Sequence, residues 1–256
     1  MATLASRVII VTGGASGLGE VIVNRFALDG DRVVVADVDE PRAQQVADNL
    51  TAAGHTVEAM TVDVTSEGEV AAMIDATRER LGRLDALVCS AAVETRSSVI
   101  DCGDEQWQRV IDVNLKGPFL CMKHGIPAIA DSGGGSVVLL GSVLGAMAAP
   151  GYAAYCASKG ALVNLAKQAA IEHAADGVRV NVVSPSATDT GLFARVARES
   201  GDPEGVRRMV EAGTPMGRLG RAEEVSATVA FLCSSAAAFI SGAVIPLDGA
   251  MAARRT

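Results

Sequence analysis

The sequence predicts an α/β fold in which a parallel β-sheet is covered by helices on both faces. Short runs rich in β-branched residues alternate with segments of helical periodicity along the chain. Near the start, a strand passes through a glycine-rich turn directly into a helix. Because no linker, repeat or low-complexity block divides the 256 residues, we expect one domain over residues 1–256.

The predicted elements alternate in chain order. The strands are expected at residues 7–12, 32–36, 56–62, 85–89, 136–140, 178–183 and 243–247. The helices are expected near residues 17–28, 41–53, 67–81, 104–130, 152–174 and 222–234. The long connection from Ser184 to Arg221 contains a short helical pair. Loops of this length are usually functional, so we expect a substrate lid at residues 186–220, with a merely mobile surface loop as the alternative.

Charge and composition disfavour several classes of function. A formal net charge of −8 argues against a nucleic acid or an anionic membrane as partner, because phosphates attract basic surfaces. The uncharged stretches 132–158 and 225–247 are interrupted by glycine, serine and proline, so we expect no membrane span. The start of the chain lacks a basic-then-apolar leader, and five cysteines show no Cys-x-x-Cys spacing, which predicts a cytoplasmic protein with reduced thiols. Three isolated histidines predict no metal site.

The N-terminal strand, turn and helix predict a phosphate-binding loop over Thr12 to Gly19. In this setting backbone N–H groups and the helix N-terminus face an anion, and glycines allow close approach of the main chain. The spacing Gly-x-x-x-Gly-x-Gly differs from the Gly-x-Gly-x-x-Gly fingerprint, and tight packing without a ligand is the alternative.

Asp37 directly follows the second predicted strand and indicates which dinucleotide binds. An acid there accepts hydrogen bonds from both ribose hydroxyls of adenosine and repels a 2′-phosphate. Ser16, and no basic residue, occupies the place in the glycine loop where such a phosphate would be received. The sequence therefore favours NAD over NADP, although a solvent-facing loop aspartate is the alternative.

Tyr155 and Lys159 are four residues apart within a predicted helix and therefore share one face. Ser142 ends the apolar run that precedes them. A tyrosine titrates near pH ~10, and a neighbouring cation favours its phenolate. This combination indicates proton exchange with an alcohol or a ketone, whereas a solvated helix face explains most such pairs on their own.

Taken together, the motifs resemble the short-chain dehydrogenase/reductase family over the whole chain. The matching residues are the Thr12–Gly19 loop, Asp63, Val64, Asn114, Ser142, Tyr155, Lys159, Pro185, Thr190 and the segment Ile240–Gly249. The resemblance implies a single-domain, Rossmann-like, doubly wound seven-stranded parallel sheet. It also implies a homotetramer in which helices 104–130 and 152–174 pair across an interface, with apolar Val163, Leu165 and Ile171 as indirect support.

The resemblance further implies roles for individual residues. Tyr155 would be the general acid/base, Ser142 would hold the substrate oxygen, Lys159 would bind the nicotinamide ribose and lower the tyrosine pKa, and Asn114 would kink its helix and support a proton-relaying water. Asp63 would meet the adenine and Thr190 the nicotinamide carboxamide. The expected cofactor-binding residues are Gly13, Ser16, Gly17, Leu18, Gly19, Asp37, Asp63, Val64, Ser90, Ala91, Ala92, Tyr155, Lys159, Pro185, Thr188 and Thr190.

Two segments depart from the family pattern. Cys89-Ser90-Ala91-Ala92 replaces the usual Asn-Asn-Ala-Gly, and Ser186 follows Pro185 where glycine is usual. Loss of the glycine demands an ordinary φ angle at Ala92. Cys89 removes a hydrogen-bonding amide and leaves a small apolar group. Both departures flank the cofactor pocket. We therefore expect them to affect the affinity for NAD more than the proton transfer by Tyr155.

The expected activity is hydride transfer between NAD(H) and a secondary alcohol or ketone. The candidate substrate pocket is mostly apolar, which favours a hydrophobic or cyclic compound, and Glu94 keeps a polyol open. Its residues are Val93, Glu94, Val143, Leu144, Tyr152, Ala187, Leu192, Phe193 and Met209. Alternatives are reduction of a 3-oxoacyl thioester by the same fold, an epimerase or dehydratase, and an NAD-binding regulator without turnover.

Overall fold

A computed structural model of the chain describes residues 6–253. Seven strands form one sheet in the order β3-β2-β1-β4-β5-β6-β9, and all neighbouring strands are parallel. These strands are β1 (Val8–Thr12), β2 (Arg32–Asp37), β3 (Val57–Thr61), β4 (Ala86–Cys89), β5 (Gly135–Leu140), β6 (Val178–Pro185) and β9 (Val244–Leu247). The short strands β7 (Thr188–Asp189) and β8 (Gly220–Arg221) form a second, two-stranded sheet.

The helices lie between the strands. They are α1 (Gly17–Leu28), α2 (Glu40–Ala52), α3 (Glu67–Leu81), α4 (Asp104–Ile111), α5 (Gly117–Asp131), α6 (Ala153–Glu172), α7 (Gly191–Glu199), α8 (Pro203–Gly213) and α9 (Ala222–Leu232). Side-chain oxygens of Asp39, Thr190 and Asp202 cap the N-termini of α2, α7 and α8 by accepting backbone N–H groups. These caps satisfy donors that a helix start would otherwise leave unpaired.

The central strands are β-branched because both faces of the sheet are buried. Side chains alternate along β1, so that Val8 and Ile10 enter one core while Ile9 and Val11 enter the other. The first core packs against α3, α5 and α6, and the second packs against α1, α2 and α9. Burying each such side chain contributes about 1.5–3 kcal/mol, which makes the sheet a rigid support for the loops at its edge.

The predicted fold class is confirmed, and the main strands and helices lie within two residues of their expected bounds. The helix expected at 104–130 differs, because a π-helical turn at Asp112–Lys116 separates α4 from α5. The two-stranded sheet of β7 and β8 was not predicted, since two-residue strands leave no periodic pattern in a sequence.

The structure describes the cysteines and the apolar stretches that the sequence analysis considered. All five cysteines are free thiols. Among residues 6–253, no helix combines the length and the apolar character needed to cross a membrane.

Candidate active site

A cleft of about 1710 Å³ opens at the carboxyl ends of the parallel strands. The strand order reverses between β1 and β4, and ligands of open α/β sheets bind at such a switch point. Every residue that the sequence assigned to cofactor binding lines this cleft. The convergence of loops from six strands brings together residues that are widely separated in the chain.

The glycine loop lies at one end of the cleft and is shaped for close backbone approach. Gly13 has φ +66°, and a Cβ atom on it would lie 2.6 Å from the Cα of Ala91. Gly17 has φ +56° at the start of α1, and a Cβ there would meet nothing within 4 Å, so this position opens toward the cleft. The free N–H groups of the α1 N-terminus therefore face a space that suits an anion.

The carboxylate of Asp37 is fixed beside this loop. Its Oδ2 accepts a hydrogen bond from the Ala15 N–H at 3.0 Å, and its Oδ1 accepts one from the Asp39 N–H at 3.0 Å. Sequence analysis missed a cation nearby, because Arg42 is distant from the glycine loop in the chain. The Arg42 guanidinium donates to the Ala15 carbonyl at 3.1 Å and pairs with Glu20 at 3.3 Å.

Asp63 and the threonines also lie where the sequence placed them. Asp63 Oδ1 accepts hydrogen bonds from the Thr65 N–H at 2.9 Å and the Thr65 hydroxyl at 2.8 Å, which fixes its carboxylate at the cleft wall. Thr188 and Thr190 line the opposite end, where Thr190 caps α7.

Tyr155 and Lys159 face each other on α6, as the spacing predicts. The Lys159 Nζ lies 5.6 Å from the centroid of the Tyr155 ring and donates a hydrogen bond to the Leu140 carbonyl at 2.7 Å. Ser142 follows β5, and its hydroxyl lies near the Tyr155 phenol, whose pKa it lowers. The Ser142 oxygen accepts the Leu144 N–H at 3.2 Å, which leaves the hydroxyl hydrogen free to point into the cleft.

Burial controls the protonation of this pair. It raises the pKa of the Tyr155 phenol, the Glu94 carboxylate raises it further, and the Ser142 hydroxyl lowers it. Burial also lowers the pKa of Lys159 to about 8, because a low-dielectric interior disfavours its charged form. The resemblance implied that Lys159 lowers the tyrosine pKa, whereas in the protein by itself desolvation is the largest effect on Tyr155 and raises the pKa of the phenol.

Asn114 is fully buried and lies behind the cleft wall. It belongs to the π-helical turn Asp112–Lys116, which interrupts the helix at the position where a kink was expected. Its amide accepts from the Val93 N–H at 2.8 Å and donates to the Val93 carbonyl at 2.8 Å. Asn114 thus fixes the segment that follows β4, an anchoring contact that spacing in the sequence does not reveal.

The departures from the family pattern are accommodated by packing. Ala250 is the one non-glycine residue of the described chain with a positive φ, so Ala92 has the ordinary φ that the sequence analysis required. Cys89 is buried beside Cys121, and both the contact between these thiols and burial raise the pKa of Cys89. Ser186 donates its N–H to the Leu247 carbonyl at 3.1 Å, which ties it to the end of β9.

The other end of the cleft contains the residues assigned to the substrate pocket. Val93, Glu94, Val143, Leu144, Tyr152, Ala187, Phe193 and Met209 all line it. The side chain of Leu192 lies outside the part of the chain that the structure describes. Sequence analysis missed Arg96, Arg195 and Met251, which also line this end and lie in loop, lid and C-terminal segments without a motif.

Comparison with known proteins indicates the family to which the chain belongs. A family model described as Enoyl-(Acyl carrier protein) reductase matches residues 13–251. The chain is 40% identical over 246 residues to cis-4-hydroxycyclohexanecarboxylate dehydrogenase of Sinomonas cyclohexanicum, covering 96% of each chain. It is 36% identical to meso-2,3-butanediol dehydrogenase of Serratia marcescens, covering 95% of this chain and 94% of the relative.

Among solved structures, the aldohexose dehydrogenase of Thermoplasma acidophilum superposes with a TM-score of 0.89 at 31% identity. The alignment covers 98% of this chain and 95% of that structure. The match extends over the sheet, the glycine loop and the Tyr155–Lys159 helix. The chain therefore belongs to the short-chain dehydrogenase/reductase family and is an oxidoreductase of alcohols.

Proposed function

We propose that the chain transfers a hydride between NAD(H) and a secondary alcohol or ketone of hydrophobic or cyclic character. The observation that carries this proposal is the grouping of Tyr155, Ser142 and Lys159 at one end of a cleft whose other end holds the glycine loop and Asp37. The curated relatives named above act on a cyclic hydroxy acid and on a secondary diol, which supports the substrate class.

The residues present fit a dinucleotide. Gly13 and Gly17 would admit the pyrophosphate, Asp37 would accept hydrogen bonds from the adenosine ribose, and Asp63 would meet the adenine. Lys159 and Thr190 would hold the nicotinamide ribose and carboxamide. NAD supplies the hydride acceptor, and the protein supplies orientation and electrostatics.

Tyr155 handles the proton of the reacting oxygen in this proposal. In ketone reduction the neutral phenol donates its proton to the carbonyl oxygen while Ser142 hydrogen-bonds the same oxygen. In alcohol oxidation the phenolate accepts the hydroxyl proton as the carbinol hydrogen leaves with its electron pair. Asn114 positions the Val93 segment and is the proposed start of a proton path leading away from Lys159.

The connection between β6 and α9 is proposed to act as the lid of a single domain. Helices α7 and α8 contribute Phe193, Val206 and Met209 to the cleft. A contact between Arg207 and Asp189 at 2.9 Å ties α8 to β7. The lid would exclude water from the reacting carbon, as mobile loops over active sites commonly do.

A panel of secondary alcohols and ketones tests the activity, each with NAD(H) and with NADP(H), followed by the absorbance of the reduced cofactor. We expect turnover of cyclic secondary alcohols with preference for NAD. Absence of turnover with every compound, together with measurable NAD binding, would instead support a regulator. Purified protein that already carries the absorbance of tightly bound cofactor would favour an epimerase or dehydratase.

We also propose a cytoplasmic homotetramer. Free thiols and a net charge of −8 support the location and the lack of a nucleic-acid or anionic-membrane partner. Val163 and Leu165 pack partly buried against the core, so of the three apolar residues named from the sequence only Ile171, at 82% exposure, is available for an interface. Phe119 on α5 is also exposed, at 46%. Sedimentation at micromolar concentration tests the proposal, and a monomer there would refute it.

A further inference from the structure

The substrate end of the cleft has an apolar wall with one half-buried carboxylate in it. Val143, Leu144, Pro150, Phe193 and Met209 supply apolar surface. Among them stands Glu94, which is partly buried and lines the same cavity. Burial raises the pKa of Glu94, a sign that this carboxylate is incompletely hydrated. A partly desolvated carboxylate is costly unless hydrogen-bond donors reach it.

Glu94 is held in place by two independent contacts of its own segment. On one side, the Asn114 amide accepts a hydrogen bond from the Val93 N–H and donates one to the Val93 carbonyl, both at 2.8 Å. On the other side, Ser97 donates its N–H to the Gly151 carbonyl at 2.8 Å, which fastens the segment to the chain just before α6. These contacts fix the backbone of the Glu94 segment relative to the start of α6.

The protein donors around Glu94 leave part of its acceptor capacity open. The Tyr152 hydroxyl lies near the carboxylate and lowers the pKa of Glu94. Arg96 acts on it only through space, since its guanidinium stacks on the Tyr152 ring at 5.2 Å. Arg195 is paired with Glu199 at 3.8 Å. An ionised carboxylate accepts up to about four hydrogen bonds, so a ligand donor in the cleft can bind it.

Glu94 and the Tyr155 phenol line the same cleft, and Glu94 is near enough to raise the pKa of that phenol, so a second group on the same small molecule can reach the carboxylate. The rings of Tyr152 and Tyr155 lie edge to face with centroids 6.3 Å apart. A substrate whose carbinol oxygen meets Tyr155 and Ser142 can thus extend past Tyr152 to Glu94. Hydroxyl groups donate to a carboxylate, whereas a substrate carboxylate would be repelled by it.

From this geometry we infer that Glu94 accepts a hydrogen bond from a second hydroxyl group of the substrate, so that the preferred substrates are diols or polyols with one hydroxyl at Tyr155 and another at Glu94. The inference rests on the proposed alcohol dehydrogenase activity and narrows its substrate class. It makes Glu94 a specificity-determining residue that leaves the hydride and proton transfers to other groups.

The test uses ring alcohols that differ only in one substituent. Cyclohexanol, cyclohexane-1,2-diol, cyclohexane-1,4-diol and cis-4-hydroxycyclohexanecarboxylate are oxidised with NAD, and kcat/KM is measured for each. In the unmodified protein we expect a diol to exceed cyclohexanol about tenfold or more, and the carboxylate to be poorest. Glu94→Leu should lower the diol-to-cyclohexanol ratio about 10- to 100-fold, mainly through KM, as expected for loss of a charge-assisted hydrogen bond.

The ratio separates recognition from other effects of Glu94. Its influence on the Tyr155 pKa acts on all the alcohols alike and cancels in the ratio, and a misfolded variant would lose cyclohexanol activity as well. Glu94→Gln keeps an acceptor oxygen and should retain part of the diol preference while improving the carboxylate substrate. Glu105→Gln removes the same charge from an exposed position at the cleft rim and should leave the ratio unchanged.

Each outcome has a definite meaning. An unchanged ratio in Glu94→Leu, or the carboxylate as the best substrate of the unmodified protein, overturns the inference while leaving the alcohol dehydrogenase proposal intact. The second of these results would assign substrate binding to Arg96 and Arg195 instead. Lack of turnover of all four compounds would overturn the proposed function and this inference together.

Discussion

At the scale of single residues, Tyr155 is where sequence and structure agree most closely. Its phenol lies beside Ser142 and over Lys159, as the spacing on one helix face requires. Its protonation, however, depends on burial and on Glu94, neither of which a motif reveals.

Removal of the phenol hydroxyl tests the proton-transfer role. Tyr155→Phe should lower kcat by about 10²–10⁴-fold, the usual contribution of a positioned general acid or base. Tyr152→Phe is the matched control, since the same hydroxyl is removed from a ring that does not face Lys159, and its loss should be much smaller. Equal losses in both variants would contradict the assignment.

The pH dependence follows from the raised pKa of Tyr155. Ketone reduction needs the protonated phenol and alcohol oxidation needs the phenolate. Since burial raises the pKa, the phenolate is scarce at neutral pH, and kcat/KM for oxidation should rise as the pH increases while reduction prevails at neutral pH. Rate profiles in both directions check this, and an oxidation rate that falls toward alkaline pH would be inconsistent with it.

Asp37 should control the choice of nucleotide because its carboxylate opposes a 2′-phosphate while Arg42 stands close by. Asp37→Asn should raise the NADP-to-NAD ratio of kcat/KM by about tenfold or more, since like-charge juxtaposition is costly. Asp39→Asn removes a neighbouring charge and keeps the cap of α2, so it should change the ratio little. Comparable effects of the two changes would argue against a specific role for Asp37.

At the scale of elements, the proposed lid depends on contacts between short helices and the two-stranded sheet. The Arg207 guanidinium binds Asp189 at 2.9 Å and stacks on the Phe193 ring at 5.8 Å. Asp189 is adjacent to Thr188 and Thr190, which line the cleft. Arg207 thus connects α8, β7 and α7.

Arg207→Met should therefore affect catalysis more than stability. The Arg207–Asp189 ion pair is screened by solvent and contributes little to stability, so we expect a nearly unchanged melting temperature. Loss of the ordered lid should lower kcat/KM severalfold, with a higher KM. Arg78→Met is the control, because it breaks an exposed Arg–Asp pair of 3.0 Å between α3 and α5, away from the cleft. An identical kinetic effect of both variants would show that the Arg207 contact is not specific to the lid.

At the scale of the whole molecule, the buried active-site residue Lys159 makes the free energy of unfolding depend on pH. Burial lowers the pKa of Lys159 from 10.5 to about 8. Between these values the unfolded chain keeps a proton that the folded chain has lost, so the contribution of Lys159 to the free energy of unfolding increases with pH across this window. The shift corresponds to at most about 3 kcal/mol.

Comparison with Lys159→Met measures this contribution. The free energy of unfolding of the natural sequence, relative to the variant, should rise from below pH 8 toward pH 10.5 by up to about 3 kcal/mol, as followed by denaturant titration. Lys167→Met removes an exposed lysine from the same helix and serves as the reference. If the difference in free energy of unfolding between the two proteins does not change between pH 8 and pH 10.5, the pKa of Lys159 is not lowered by burial.

The order of strands and helices, the glycine loop and the Tyr155–Lys159 pair were determined by the sequence itself. Periodicity, β-branching and residue spacing are local properties, and they suffice for α1, β1 and α6. The π-helical turn at Asn114, the position of Arg42 beside Ala15 and the second sheet were decided by tertiary structure, because each depends on contacts between distant segments. The same holds for the state of the active-site phenol. The ionisation of Tyr155 is set by desolvation and by Glu94, and only the packing of the fold creates that environment.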